Sequence, residues 1–514
     1  MSRRFRGLRE KPKQSYDAVV IGAGVGGLIA ANLLVRAGLK TQLIERHYMV
    51  GGYCSTFRRA GYTFDAATHF YPLLGNPSTL TGSLLAELGV STEWIKMDPV
   101  DCFHFPDGSR FRVPADFNSY VGKLKAEFPE EKENIDRFFT LCRKAYLTGL
   151  VEYFRNVPTG RMESLRGLSL GDVLHQHFRN EKLRLLLTGD IGHWGSPPSR
   201  TSFVFDSMLR LAYFLGNYYP RGGSQVFVDE LAQRFEEMGG DILMSSEVRR
   251  ILVEAGAASG VEVETGTPRN RTCHRISAGV VLSNADLRHT MERMLDPDSL
   301  DANYLAHSRQ LRPSHPCFLV HFGLKDISLD ELRQIEGYHW SSWNAEDVAT
   351  SAFKVFLPTA FDPALAPAGG QIVIVQKLTD INYEATDDWS LHKKNVEDYI
   401  LDSLERKLPG FTNKIVVKLS ASAQTSYRYT LNHHGAMLGW EMAPDQLGKE
   451  RPSVEAPLKN LYLVGHWVRP GGGITPVMMS AVHAARLITG TPTSRILSRT
   501  ASETTAAGAG VMPA

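Results

Sequence analysis

The chain has 514 residues, 43% hydrophobic and 22% charged, a balance that excludes a largely disordered or fibrous chain and leaves ample length for a core. A formal net charge of +2 gives no overall excess for binding nucleic acid. The five cysteines, Cys54, Cys102, Cys142, Cys273 and Cys317, include no CxxC pair, which argues against a metal site or a disulfide scaffold and for a reducing, cytoplasmic setting.

The charge is uneven. Residues 1–13 carry six basic side chains against the single acid Glu10, and 1–14 reads as a flexible basic arm with weak attraction to anionic lipid as its alternative. Arm and following apolar stretch superficially resemble a secretory signal, but the glycines in that stretch have a better explanation. Residues 17–21 read as a buried strand, followed by Gly22-Ala-Gly24-Val-Gly26-Gly27. A small-residue helix from Leu28 to Ala37 ends at Gly38, and a second strand, Thr41 to Ile44, ends in Glu45. This is the dinucleotide pattern: Gly22 permits the tight turn, Gly24 lets backbone approach a diphosphate, Gly27 lets helix and strand pack closely, and Glu45 stands where a ribose-binding carboxylate is expected. The free N–H groups of the helix N-terminus face the phosphates. A second glycine pair, Gly51-Gly52, with Thr56 soon after, is the extended form of large flavoproteins and points to FAD rather than NAD.

Further along, residues 100–215 read as mainly helical. Within them Phe203–Pro220 is almost wholly apolar and aromatic, with only Asp206 and Arg210 charged. Its plain reading is a core helix lining a substrate cavity; the alternative is a monotopic membrane patch through which an apolar substrate enters. No stretch other than the glycine-bearing one at the start is long enough to span a bilayer. The helix Val228–Met238, then Gly239-Gly240-Asp-Ile, then Glu247-Val248 read as helix, strand and strand, and Gly279–Leu282 as a further strand. Candidate strands at Pro316–Gly323, Ser351–Pro358 and Gln371–Lys377 form the floor of a second domain. Near the end, a strand leads through Val464 to Gly465, and Gly471–Pro476 opens a helix to about Ile488. The Ser, Thr, Ala and Gly-rich stretch from 491 reads as a disordered tail.

The segment Val19–Thr56 resembles the signature of the amine oxidase and phytoene desaturase superfamily of FAD enzymes. The run Pro470–Ile474 and the stretch from Gly61 to His69 resemble its carotenoid branch: phytoene desaturases, carotenoid isomerases and retinol saturases. The resemblance implies an α/β fold in which a discontinuous Rossmann-type FAD-binding domain (15–100, 218–295 and 430–490) interleaves with an α+β substrate domain (101–217 and 296–429) bearing candidate membrane-facing helices. It assigns Gly22, Gly24, Gly26, Gly27, Glu45, Arg46, Gly51, Gly52, Thr56, Val248, Gly465, His466, Gly473 and Ile474 to FAD. The last helix would aim its N-terminus at the flavin, favouring the anionic reduced form. One departure stands out: the family often has Asp after the glycine of the last strand, and this chain has His466.

The resemblance implies hydride exchange at flavin N5 with an apolar substrate such as a carotenoid, isoprenoid or other polyene or lipid. Desaturation, saturation and isomerisation all remain open, with a quinone or oxygen as electron acceptor for the oxidative direction. Phe205, Leu209, Phe214 and Trp440 are expected to wall the cavity. His69, Glu441 and His466 are the candidate catalytic residues; for His69 the alternative is a hydrogen-bonded structural histidine, and for Glu441 a surface carboxylate beside a packed tryptophan. His433-His434 lacks partners at metal-ligand spacing, so no metal is assigned. The enzyme is placed in the cytoplasm, with the membrane surface as a candidate site. Two other readings stay open: a flavin amine or porphyrinogen oxidase, and a non-catalytic prenyl-binding escort protein on the same fold.

Overall fold

The computed structural model describes residues 14–189, 195–267, 270–380, 384 and 388–490. The basic arm before Gln14 and the tail from 491 lie outside the described residues. The opening strand runs Ser15–Ile21, two residues earlier than its apolar run predicts. Parallel neighbours flank it on both sides, Thr41–Ile44 and Asn270–Ser283, with Ala18 opposite Thr41 and Val280. Burial on both faces explains why Ala18–Ile21 is continuously apolar rather than alternating. The first helix spans Val25–Arg36, not Leu28–Ala37, because Gly24 caps it in an extended conformation directly at the turn.

Seven strands form the first sheet, in the order Glu247–Glu254, Ala257–Thr267, Asn270–Ser283, Ser15–Ile21, Thr41–Ile44 and Asp241–Leu243, with Leu461–Leu463 also paired to Asn270–Ser283. Its strands come from three separated stretches of chain. The opening helix is buried against Ser224–Glu237 and against the last helix, Ile474–Thr489.

A second seven-stranded sheet runs Ile415–Ala421, Cys317–Leu324, Gln371–Leu378, Ala352–Phe356, Gly337–Trp340, Asp101–His104 and Arg110–Val113. Three of these strands match expectation within a few residues. The hairpin 101–113 lies in a region read as helical, although its Pro106-Asp107-Gly108 is a turn signal. Beyond it the region is helical as expected, including Phe117–Glu127, Lys132–Gly149 and Phe203–Leu215.

The helix Phe203–Leu215 packs on Lys132–Gly149, where a Cβ on Gly149 would stand 2.3 Å from Met208 Sδ. Its only charges, Asp206 and Arg210, pair with each other inside the protein at 3.0 Å. Residues 203–208 and 210–213 are buried and Leu209, Phe214 and Leu215 half-buried, the pattern of a core helix. Among the described residues no helix is long and apolar enough to cross a bilayer.

The two sheets are tied together around the strand Tyr62–Asp65. Tyr62 Oη donates to the Leu324 carbonyl at 2.8 Å, and His321 Nε2 donates to the Asp65 carbonyl at 2.9 Å. Tyr219 Oη and the Ser224 amide donate to the Asp65 carboxylate at 2.6 and 2.8 Å. These bonds fix the chain leading from Asp65 to His69.

Candidate active site

The opening strand ends at Gly22, whose φ of +91° makes the turn. Gly24 caps the helix with no side-chain hydrogen bond, and the first turn holds no acid, so its N–H groups stay open. The Gly51 amide donates to the Ala23 carbonyl at 2.8 Å, bringing the second glycine pair beside the first turn. Glu45 Oε2 accepts from the Ala23 amide and Oε1 from the His47 amide, both at 2.7 Å. Burial raises the Glu45 carboxyl, and the His47 and Ala23 amides oppose that rise. The last helix repeats the arrangement: Gly473 caps it without a side chain, and its first turn is free of acid.

Both helix N-termini open into one cavity of about 2530 Å³. Gly22, Gly24, Gly26, Glu45, Arg46, Gly51, Gly52, Thr56, Val248, Gly465, His466, Gly473 and Ile474 all line it. Gly27 is outside the lining, buried under the turn. A Cβ on Gly26 would stand 2.5 Å from Asn284 Oδ1, so the cradle tolerates only bare backbone. Two open helix ends, a glycine cradle and a ribose-side carboxylate fit a flavin dinucleotide.

The cavity continues into an apolar half lined by Leu147, Leu150, Phe154, Phe205, Leu209 and Phe214 among others. His69 lines it too. Two expected residues do not. Trp440 is fully buried and meets Trp467 edge-on at 4.7 Å, packing behind the wall rather than forming it. Glu441 is buried behind the same wall, where Arg200 Nη2 at 2.9 Å and Arg312 Nε at 3.1 Å donate to its carboxylate. Two guanidiniums occupy its oxygens, so its position is that of a structural ion pair.

A model of the flavin-containing amine oxidoreductases matches residues 25–489. The chain belongs to that family. It is 27% identical to the chloroplastic prolycopene isomerase of Daucus carota, across 92% of this chain and 80% of the isomerase. It is 26% identical to the neurosporene-forming phytoene desaturase of Cereibacter sphaeroides, across 93% and 95% respectively. Wild-type putrescine oxidase, solved with putrescine, superposes with a TM-score of 0.65 over 93% of this chain and 99% of that one at 18% identity, a likeness of fold. The protein is thus an FAD-dependent oxidoreductase whose Rossmann-type nucleotide fold interleaves with an α+β part.

In this flavin-containing amine oxidoreductase, burial keeps two of the histidines that line the cavity, His69 and His466, neutral. His69 Nδ1 donates to the Ala67 carbonyl at 2.8 Å, which leaves Nε2 as the lone-pair nitrogen. Nε2 is buried without a hydrogen-bond partner. Burial first, and the Lys354 charge second, push this imidazole down to about 3. The ring stacks on Phe356 at 4.6 Å. His466 is pushed to about 3 by burial and by the Arg451 guanidinium.

Four contributing residues escaped the sequence reading. Asn284, in the turn after the central strand, packs against Gly24, Gly26 and Gly465. Asn432 and Tyr53 form a hydrogen-bonded wall beside His466. Arg451 is 1% exposed and donates to the carbonyls of Trp440, Glu441, Gln446 and His466, tying the 440–446 loop to the loop after Gly465. Asn284 follows a strand end, where ligand-facing turns gather in such folds, and that was its signal. The other three carry no local pattern.

Proposed function

We propose that this flavoenzyme acts on carbon–carbon single or double bonds of a long apolar substrate, a carotenoid, isoprenoid or other polyene or lipid, by desaturation, saturation or isomerisation. The observation that carries the reading is the continuity of the cavity from the glycine cradle into a half walled by aliphatic and aromatic side chains. The carboxylates that line it, Glu45, Asp229, Glu247 and Asp286, all come from the nucleotide-side segments; among the described residues the apolar half has none to hold an ammonium group. That favours a hydrocarbon chain over an amine. Resemblance to prolycopene isomerase and phytoene desaturase over most of the chain supports the same class.

In this reading the nucleotide unit is assembled from 15–100, 218–295 and 430–490, and the substrate unit from 101–217 and 296–429. Bound on the glycine cradle, the flavin supplies two-electron hydride exchange. The chain's own residues do the rest. Phe205, Leu209 and Phe214 align the substrate and exclude water. The open N-terminus of Ile474–Thr489 favours negative charge at its end. His69 Nε2 is a bare, neutral acceptor that holds a proton released from or delivered to the substrate. In the oxidative direction a quinone or oxygen takes the electrons.

The substrate enters, on this proposal, at the rim formed by the segment 143–161. Leu147 and Val157 are 54% and 49% exposed there, and Lys144 and Arg161 line the same rim. Apolar side chains beside cations suit the surface of an anionic membrane.

The test is anaerobic titration of the purified holoenzyme with detergent-dispersed polyenes and, in parallel, with di- and polyamines, following flavin absorbance, together with chromatography of the polyene isomers. Flavin bleaching or isomer conversion with polyenes alone is the expected result. Bleaching by amines alone overturns the substrate class.

A further inference from the structure

Two helices line the cavity with faces of opposite character. The helix Phe203–Leu215 contributes Phe205, Met208, Leu209, Ala212 and Tyr213. The helix Ala423–Thr430 and the residue before it contribute Ser422, Thr425, Ser426, Tyr429 and Thr430. Both sets recur at three and four residues, so each is one face of its helix. The first face is mostly hydrocarbon. The second carries a hydroxyl at every position, and a pure hydrocarbon chain has no use for it.

Most of these hydroxyls are taken. Ser426 Oγ lies 2.6 Å from Tyr53 Oη. Thr430 Oγ1 donates to the Ser426 carbonyl at 2.8 Å and accepts from the Asn432 amide at 3.1 Å. Tyr429 is 54% exposed. Two hydroxyls are left at the N-terminal end of the stripe. Ser422 is 1% exposed, yet its Oγ has no hydrogen-bond partner. Thr425 Oγ1 accepts from the Ser422 amide at 3.2 Å, and its own proton meets no acceptor among the described residues. A hydroxyl buried without a partner is costly.

The surroundings of the pair carry no charge. Ala421, just before Ser422, stands opposite Leu319, and Leu319 stands opposite Gln376 on the next strand. All three line the cavity, with Leu419 and Met437 beside them. Tyr53 follows the Gly51-Gly52 pair, so its contact with Ser426 ties the hydroxyl helix to the cofactor cradle. Ser422 stands four residues from that tie, about 6 Å of helical rise.

We propose that the Ser422 and Thr425 hydroxyls bind an uncharged oxygen, a carbonyl or a hydroxyl, on a molecule that shares the cavity with the flavin. A hydroxyl both donates and accepts, so either oxygen is matched. A charged group would lie in this row without a counterion. Two molecules can bring such an oxygen: a polyene or lipid substrate with an oxygenated end, and a quinone that accepts electrons.

The inference rests on the flavoenzyme reading with an apolar substrate, and the test keeps the two apart. The probes are a hydrocarbon polyene, the same polyene with a terminal ketone, and a short-chain ubiquinone. The polyenes are titrated anaerobically against the flavin absorbance of the holoenzyme. The quinone is read from the concentration dependence of reoxidation of the reduced holoenzyme. Ser422→Ala removes a hydroxyl that makes no hydrogen bond within the protein. In that variant the preference for ketone over hydrocarbon is expected to fall about tenfold, or the apparent affinity for ubiquinone by the same factor, the worth of roughly one hydrogen bond. The first result assigns the site to the substrate's end group and the second to the acceptor. Thr425→Val is expected to act in the same direction. Unchanged ketone preference together with unchanged ubiquinone affinity overturns the inference, as does an equal weakening of all three probes. Faster FAD release from Ser422→Ala, followed by recovery of flavin fluorescence, would give the hydroxyl to the cofactor and also overturns it. If the variants fail to fold, the wild type decides: no preference for the ketone and no saturation by ubiquinone overturn it. A holoenzyme that keeps FAD and responds to ubiquinone, but to neither polyene, counts against the apolar substrate and not against the hydroxyl pair.

Discussion

Gly27 lies against the carbonyl of Gly22: a Cβ on Gly27 would stand 2.0 Å from that oxygen. The contact lets the opening helix and strand close on each other, and so holds the N–H groups of the helix at the cavity although Gly27 itself does not line it. Gly27→Ala must push the turn and helix apart. Overpacking of this kind costs about 1–3 kcal/mol. The expected outcome is a lower melting temperature together with a reduced ratio of flavin to protein absorbance after purification. A variant with full flavin content and an unchanged melting temperature would show that the turn has slack.

Glu441 gives the opposite expectation. Its carboxylate is buried between Arg200 and Arg312, away from the cavity, so Glu441→Gln should keep the flavin spectrum and turn over within about twofold of wild type. It should lose about 1–3 kcal/mol in denaturant unfolding, because an amide N–H₂ then confronts a guanidinium in a buried place. A loss of turnover by orders of magnitude with stability intact would return Glu441 to a catalytic role.

What was legible in the sequence follows from how local the cause is. The glycine turn, the strand before it and Glu45 are set by neighbours in the chain, and the structure places them where the spacing says. The strands 317–324 and 371–378 were legible as apolar runs. Ile415–Ala421, an edge strand with half-exposed alternation, was not. Trp440 and Glu441 were misplaced because being near the cavity in sequence does not say which side of the wall a side chain takes. That choice is made by Arg200, Arg312 and Trp467, all brought in by tertiary packing. Asn432 and Tyr53, separated by 379 residues, show the same limit.

Acid should weaken the protein from a predictable starting point. Burial pushes His69 and His466 to about 3 and His321 to about 4, whereas the unfolded chain titrates near the ordinary value of about 6.5. Between these values the unfolded state binds more protons than the folded one, so stability falls as pH falls through that window. Above about 6.5 both states are neutral and these groups contribute no pH dependence. Melting temperatures measured across the range should be flat near neutrality and decline below it, and His321→Phe or His69→Phe should flatten the decline. An unchanged slope in both variants would place the acid sensitivity elsewhere.

The proposed membrane rim makes an electrostatic prediction. Replacing Lys144 and Arg161 by Glu should weaken sedimentation with vesicles rich in anionic lipid, by about fivefold per cation removed if each is worth about 1 kcal/mol near the surface. The salt dependence of the binding should shrink with them. Turnover of detergent-dispersed substrate should hold, because both side chains sit at the rim. Leu147→Ser should weaken binding to neutral vesicles as well. Unchanged vesicle binding in all three variants would remove the rim from the membrane proposal.

His69 carries the sharpest expectation for the chemistry. Its Nδ1 proton is committed to the Ala67 carbonyl, and its Nε2 lone pair has no partner. With the imidazole down at about 3, the proton-accepting form is fully present across ordinary assay conditions. Protonation would remove it only as pH falls through about 3. Any bell shape in kcat near neutrality must therefore come from another group. His69→Phe keeps the stacking on Phe356 but removes the acceptor, so flavin content should be retained while kcat falls by less than the roughly 10²–10⁴ of a base matched to the working pH, because an imidazole this hard to charge is a weak base. His69→Gln offers an amide oxygen that is a weak base, and should recover little of kcat even where substrate affinity is kept. A His69→Phe enzyme with normal kcat would show that Nε2 is only a packed ring nitrogen, and that proton transfer in this cavity goes directly to solvent or to the cofactor.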